Sequence, residues 1–359
     1  VWHPTLDIFF PVQMDHMTVN EAYRVWHGAS HLDDARQAPV NHQHFDLYAQ
    51  GPTTDTPYQP GEHIPGLNIG GWYDAGDYDI RTQTQYGVVR NLVTVWENFR
   101  PLRDNTTVDY PSRFVDIHVP DGKPDILQQI EHGALALVAQ YRAVGHAIPG
   151  IIVPSLEQYT HLGDGVTMTD NLVYDPELGE LESDGIRSGK PDDRWAFTSR
   201  SSALNFGSIA ALAAASRALS GYNDSLAEEC LETAVRAWED ERSRTPDLFR
   251  HGNTTGGALP LEETNAALEL LIATGKPQYA ERILHYLPEF ENQFHLFAVP
   301  ALRALPHMDS TYVSRVRSMA EIHLKRSAET TSRNPYGVMI TEGGWAGNGA
   351  VIGGAITNY

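Results

Sequence analysis

The chain has 359 residues, 41% of them hydrophobic and 9% aromatic, and Cys230 is its single cysteine, so no intrachain disulfide can form. Its 26 lysines and arginines face 46 aspartates and glutamates, a formal net charge of −20 that repels phosphate backbones and anionic lipid heads and makes nucleic acid an unfavourable partner. No window reaches the roughly 18 uninterrupted apolar residues of a membrane span.

In chain order, "VWHPTLDIFF" lacks the basic and apolar regions of a signal peptide, which is therefore absent or already removed. "TVNEAYRVWHGA" (18–29) reads as the first helix, and residues 33–69 as a long polar joint of the kind that carries binding sites. Helices follow at "QYGVVRNLVTVWENF" and "PDILQQIEHGALALVAQYRAVG", then a second long joint at 146–198. "NFGSIAALAAASRALSGYN" and "DSLAEECLETAVRAWEDERSR" predict an antiparallel helical hairpin, the second helix capped at its amino end by aspartate and serine, with Cys230 as core filler. "LEETNAALELLIATG", "PQYAERILHYL", "QFHLFAVPALRAL", "STYVSRVRSMAEIHLKRSAE" and "NGAVIGGAITNY" bring the total to about ten helices. Hairpins joined by decorated loops, with no domain linker, predict one all-α toroidal domain over 1–359.

The stretch "GGWYDAGDYD" (70–79) sets Asp74 and Asp77 around the small pair Ala75-Gly76, beside Trp72, Tyr73 and Tyr78. Two carboxylates on one side of a turn can hold a water, one taking its proton while the other orients it. A capping turn into the following helix accounts for the same spacing. The aromatics favour the first reading, since sugar rings stack on Trp and Tyr; packing under the loop accounts for them equally well.

This loop closely resembles the catalytic loop of family 9 glycoside hydrolases, the cellulase family with an (α/α)6 barrel. "HGASHLDDAR", "LGDG", "PDDRWAFT", "LEETNAALELLIATG" and "NPYGVMITEGGWAGNGAVIGGAITNY" resemble the family in the same order, so the likeness spans nearly the whole chain. The resemblance implies an inverting, endo-acting β-1,4-glucan hydrolase with Asp77 as general base and Asp74 positioning the water. Its partner would be a β-glucan polysaccharide or oligosaccharide, and its location secreted or periplasmic. Trp72, Tyr73, Tyr78 and Trp345 are implied sugar contacts. Where the family often has a histidine and a tryptophan after "GDG", this chain places Asn171 and Tyr174. The family's general acid, a late glutamate, has no matching position, so the barrel is expected to be incomplete at its C-terminus; Glu342 reads as a loop carboxylate rather than a replacement. The alternatives are an inactive glycan-binding protein, an exo-acting β-glycosidase or glucosaminidase, and a helical scaffold.

No cofactor is required by this chemistry. Calcium is the one cation the resemblance allows, through Asp33 and Asp34, although their spacing is not that of an EF-hand. His27 and His31, which a helix would set on one face, and His42 and His44 read as structural, because no further ligand cluster follows them. Asn105, Asn223 and Asn253 begin short Asn-x-Ser/Thr triplets and read as loop or cap residues.

Overall fold

A computed structural model describes residues 9–74, 78–155, 169–248 and 255–333, together with 335, 337, 352 and 354–357. The chain divides into two compact units, Val1–Glu262 and Glu263–Tyr359.

In the first unit the helices are α1 (Thr82–Phe99), α2 (Asp125–Val144), α3 (Ser202–Leu219) and α4 (Asp224–Arg242). Most of α3 is buried, which its run of alanines and serines permits: small side chains let α1, α2 and α4 approach it from several directions. A Cβ on Gly207 of α3 would stand 2.3 Å from the Tyr86 ring of α1, so this glycine marks a helix contact. The α3–α4 hairpin predicted from sequence is present, with Phe206 and Trp238 packed edge to face at 5.6 Å. Asn223, rather than the expected aspartate and serine, caps α4 by accepting from the Leu226 N–H at 3.2 Å, and Cys230 is buried on that helix.

The helix expected over 18–29 is instead a strand pair, β1 (Thr18–Glu21) and β2 (Arg24–His27). Thr18, Val19, Val25 and Trp26 favour extended backbone, and partners far along the chain decide the matter. β1 also pairs in parallel with β6 (Phe114–Ile117), itself antiparallel to β5 (Thr106–Asp109). A second four-stranded sheet has the order β3-β10-β7-β4, formed by Arg36–Gln37, Trp195–Phe197, Gly150–Ile152 and Ile80–Arg81. A two-stranded ribbon pairs β8 (Val173–Tyr174) with β9 (Arg187–Ser188). Among the described residues the "polar joints" thus hold short strands, β3 in the first and β7 to β10 in the second.

The second sheet matters most for the site. β3 begins two residues after Asp34, β10 directly follows Arg194, and β4 contains Arg81. Pairing these strands aligns charged residues from three distant parts of the sequence, over a core of Ala35, Ile64, Leu67, Ile80, Ile148, Ile151 and Ala196.

Helix α5 (Leu259–Thr274) is followed in the second unit by α6 (Pro277–His285), α7 (Leu287–Asn292), α8 (Phe294–Arg303) and α9 (Ser310–Ser332). Proline sits in the first turn of α6 and of α7, where its missing N–H costs nothing. Phe290 and Phe297 stack at 5.0 Å, Arg282 pairs with Glu263 at 2.6 Å and Arg303 with Glu269 at 2.5 Å. Asp309 caps α9 through the Tyr312 N–H at 2.8 Å.

Candidate active site

The loop at 70–79 begins with two glycines in left-handed backbone, Gly70 at φ +70° and Gly71 at φ +86°. A Cβ on Gly70 would lie 2.4 Å from the His132 carbonyl oxygen of α2, so backbone conformation and space both demand glycine there. On the helix side, a Cβ on Gly133 would lie 2.4 Å from the Trp72 ring. Glycines on both partners let the segment lie directly on α2.

Histidines then fix its carbonyls. His132 Nε2 donates to the Gly71 oxygen at 2.7 Å, and His16 Nδ1 lies 2.9 Å from the Gly70 oxygen. Burial pushes His132 down to about 3, which keeps its ring neutral. Gln85 of α1 grips both sides of Trp72, accepting from its N–H at 3.0 Å and donating to its carbonyl at 2.9 Å.

Asp74 donates its N–H to the Asp79 carbonyl at 2.9 Å, an antiparallel bridge that closes the loop's base. Ala75, Gly76 and Asp77, the expected general base, lie outside the described residues. The Asp74 side chain is 32% exposed and its Oδ2 stands 2.7 Å from Arg81 Nε. The same Nε is 2.7 Å from Oδ2 of fully buried Asp79, and Arg81 Nη2 donates to Asp46 at 2.8 Å. Although burial works against its charge, Tyr48, Asp79, Asp46 and Asp74 raise the Arg81 pKa above its ordinary value. Arg81 is thus a fixed cation that holds Asp74 in place at the rim of the loop.

A second cation lies beneath. Fully buried Arg194 donates through Nε to Asp34 at 2.9 Å, through Nη2 to Asp15 at 2.5 Å and again to Asp34, and through Nη1 to the Tyr78 carbonyl. Burial opposes ionisation of Asp15 and Asp34, yet Arg194 and the neighbouring histidines hold both below the usual carboxylate range. His31 Nδ1 lies 3.0 Å from Asp15, and His16 Nε2 lies 2.8 Å from Asp34. Arg194 therefore fixes the C-terminal edge of the loop at Tyr78 as the histidines fix its N-terminal edge.

The loop aromatics are enclosed. Trp72, Tyr73 and Tyr78 are 4%, 6% and 5% exposed, so they offer no open face for a sugar ring. Trp72 Nε1 donates to Gln129 at 2.9 Å, the Tyr73 hydroxyl is 2.5 Å from Ser30 Oγ, and Tyr73 and Tyr78 pack edge to face at 4.9 Å. They support the loop from inside. Asn171 spends its amide on the chain near Asp33, accepting from Leu32 N–H at 3.0 Å and donating to the Ala29 carbonyl at 3.1 Å. Tyr174, on β8, is half-buried, with the Arg36 guanidinium 4.6 Å over its ring. Trp345 and Glu342 lie outside the described residues.

His27 stands on β2 rather than on a helix, so the expected pairing with His31 on one helical face does not arise. His44 Nε2 meets the Val153 carbonyl at 2.9 Å, a structural contact. Asp33 and Asp34 part company: Asp34 serves Arg194, while Asp33 faces Asp170 and Asp192. Burial and then the Asp34 charge push Asp33 up to about 8.

Sequence reasoning did not find Arg81, Arg194, Asp15, Asp79, His16 or His132. The available signal was an arginine beside paired acids in "DYDIR" and "PDDRW". Nothing local reveals that Arg194 meets Asp15, 179 residues away.

The family model described as glycosyl hydrolase family 9 matches residues 8–346. This chain belongs to glycosyl hydrolase family 9. It is similar to Endoglucanase D of Acetivibrio thermocellus, at 24% identity over 262 residues that cover 70% of this chain and 36% of that protein. Among solved structures, the family 9 endoglucanase J30 matches with TM-score 0.68 and 18% identity, over 99% of this chain and 62% of that one. A thermostable endoglucanase of Alicyclobacillus acidocaldarius, as its D468A mutant, matches with TM-score 0.67 and 19% identity, over 98% of this chain and 60% of that one. This chain spans about a third of the length of the curated relative and about three-fifths of those solved chains. The fold of the family, the (α/α)6 barrel expected from sequence, is the fold of this chain.

Proposed function

We propose that this family 9 chain carries the general-base side of an inverting, endo-acting hydrolase of β-1,4-glucans, with Asp77 as the base and Asp74 positioning the water. The observation that carries the reading is the rim position of Asp74: partly exposed, ion-paired to Arg81 at 2.7 Å, and set on a loop whose two edges are tied to buried His16 and buried Arg194. A carboxylate in that place can accept a hydrogen bond from a water without drifting. Relatives named as endoglucanases supply the substrate class.

In the proposed step, Asp77 removes one proton from the water as its oxygen bonds to the anomeric carbon. The bond from that carbon to the leaving sugar's oxygen breaks, and that oxygen takes a proton from an acid on the opposite side of the sugar. The acid and base of such a pair stand about 6.5–9.5 Å apart, leaving room for the water. Trp72, Tyr73 and Tyr78 act by holding the loop. Tyr174 and Trp345 are the aromatics we assign to sugar contact, with Asn171 ordering the segment that carries Tyr174. The protein acts outside the cytoplasm, where polymeric glucans are met.

The test is reducing-end release from soluble β-glucans by full-length protein, compared with Asp77→Asn. Loss of about 10²–10⁴-fold in turnover with glycan binding retained is expected of a missing general base. Wild-type turnover in that variant would sink the assignment, and binding without turnover by the unmodified protein would favour a glycan-binding function.

A further inference from the structure

Away from the carboxylates at the rim of the catalytic loop, a cavity of about 350 Å³ lies between α2 and the chain at 58–69. Ala139 and Arg142 of α2 line one side, Tyr58 and Asn68 the other. Arg113 closes its inner end, since the same residue lines a second cavity of about 70 Å³ beside Gly70. Among the described residues no carboxylate lines the larger cavity, although the chain as a whole carries a net charge of −20.

Two arginines alone would mean little. The charge of Arg142 is spent, for its Nε and Nη2 take the two oxygens of Glu229, the first at 2.6 Å. Arg113 is different. Half-buried, it ends the β5–β6 turn in left-handed backbone, φ +52°, and its Nη1 reaches only carbonyl oxygens, of Asn68 at 2.9 Å and of His16 at 3.3 Å. Burial pushes its guanidinium below the ordinary arginine value, and no carboxylate beside it pulls it back. A guanidinium nevertheless keeps its charge at any ordinary pH, so an uncompensated cation stands at the end of the cavity with donors to spare. Two effects oppose an anion there, the net charge of the chain and the partly negative C-terminal end of α2. The first is screened beyond about 8 Å at physiological ionic strength, and the second is confined to the last turn, where Arg142 already answers it. Direct contact with Arg113 outweighs both.

We infer that this cavity binds a carboxylate carried on a molecule about the size of one sugar, with Arg113 as its counter-ion. The planar fork of a guanidinium matches the two oxygens of a carboxylate, whereas a phosphate dianion would bring two charges to one unpaired cation. The described hydrogen bonds of Tyr58 run through its backbone to Thr56, which leaves its hydroxyl for the ligand. The volume falls in the range of about 300–1,000 Å³ usual for small-molecule pockets. This inference does not depend on the hydrolase reading.

Full-length protein is titrated by calorimetry with sodium glucuronate, with glucose as the uncharged control and sodium phosphate as the competing oxyanion. We expect glucuronate to bind at least about tenfold more tightly than glucose, and more tightly than phosphate. Arg113→Gln should weaken glucuronate binding at least about tenfold, the loss of one charge-assisted hydrogen bond, and leave glucose unaffected. Arg113 also holds two carbonyls, so a second variant guards against its failure to fold: Tyr58→Phe keeps the ring packed on the core and should still weaken glucuronate about two- to tenfold. Equal binding of glucuronate and glucose, tighter binding of phosphate, or glucuronate binding unchanged in folded Arg113→Gln or in Tyr58→Phe would overturn the site.

Discussion

Arg81 illustrates how much of this site rests on single buried charges. It is the cation nearest both Asp74 and Asp79, and Asp79 is shielded from water. Arg81→Gln should cost about 3–5 kcal/mol in urea unfolding, the range for stripping one partner from a buried ion pair. Asp79→Asn in the same chain should recover part of that loss, since the uncompensated charge is gone; strictly additive losses in the double-mutant cycle would show that the two do not interact. The motif "GGWYDAGDYD" announced the acids because they are adjacent in sequence. Arg81 and Arg194 stayed silent because their significance comes from sheet pairing, which sets Arg194 beside Asp15 and Asp34 only after folding. The same cause hid the fate of the aromatics, since Trp72, Tyr73 and Tyr78 read identically whether they face sugar or core.

Helices were the most legible elements and short strands the least. The α3–α4 hairpin follows from periodicity within one stretch of chain, whereas β1 is decided by β6, nearly a hundred residues on. Two helical glycines give a test at this scale. Gly87 in α1 has open space where a Cβ would go, so Gly87→Ala should stabilise by about 0.4–1 kcal/mol through helix propensity. Gly133 in α2 meets the Trp72 ring at 2.4 Å, so Gly133→Ala should destabilise by about 1–3 kcal/mol despite the same propensity gain. Thermal or urea unfolding of the pair decides it, and stabilisation by both would mean that the loop does not lie on α2 as described.

For the molecule as a whole, buried histidines set a pH dependence. Burial lowers His31 and His146 from the ordinary histidine value and takes His132 to about 3. Through these histidines the unfolded chain binds more protons than the folded one below about pH 6.5, so their contribution is full above that pH and falls as acid is added; Asp33, held up at about 8 by burial, opposes them, and its contribution is lost as the pH rises toward 8. Each such histidine contributes a slope of about 1.4 kcal/mol per pH unit until its folded pKa is reached. Asp15 and Asp34, held low by Arg194, act the same way only below about pH 4. Urea midpoints measured from pH 7 to pH 4 should therefore decline, and His132→Gln should flatten the decline; an equal slope in the variant would remove His132 from the account. The central claim is that a loop carboxylate activates water on the face opposite the leaving oxygen, and the anomer released first tests it most directly. Proton NMR of fresh product from a β-linked glucan should show the α anomer appearing first, the signature of inversion. Initial release of the β anomer would mean a covalent glycosyl intermediate and would contradict the roles given to Asp77 and Asp74.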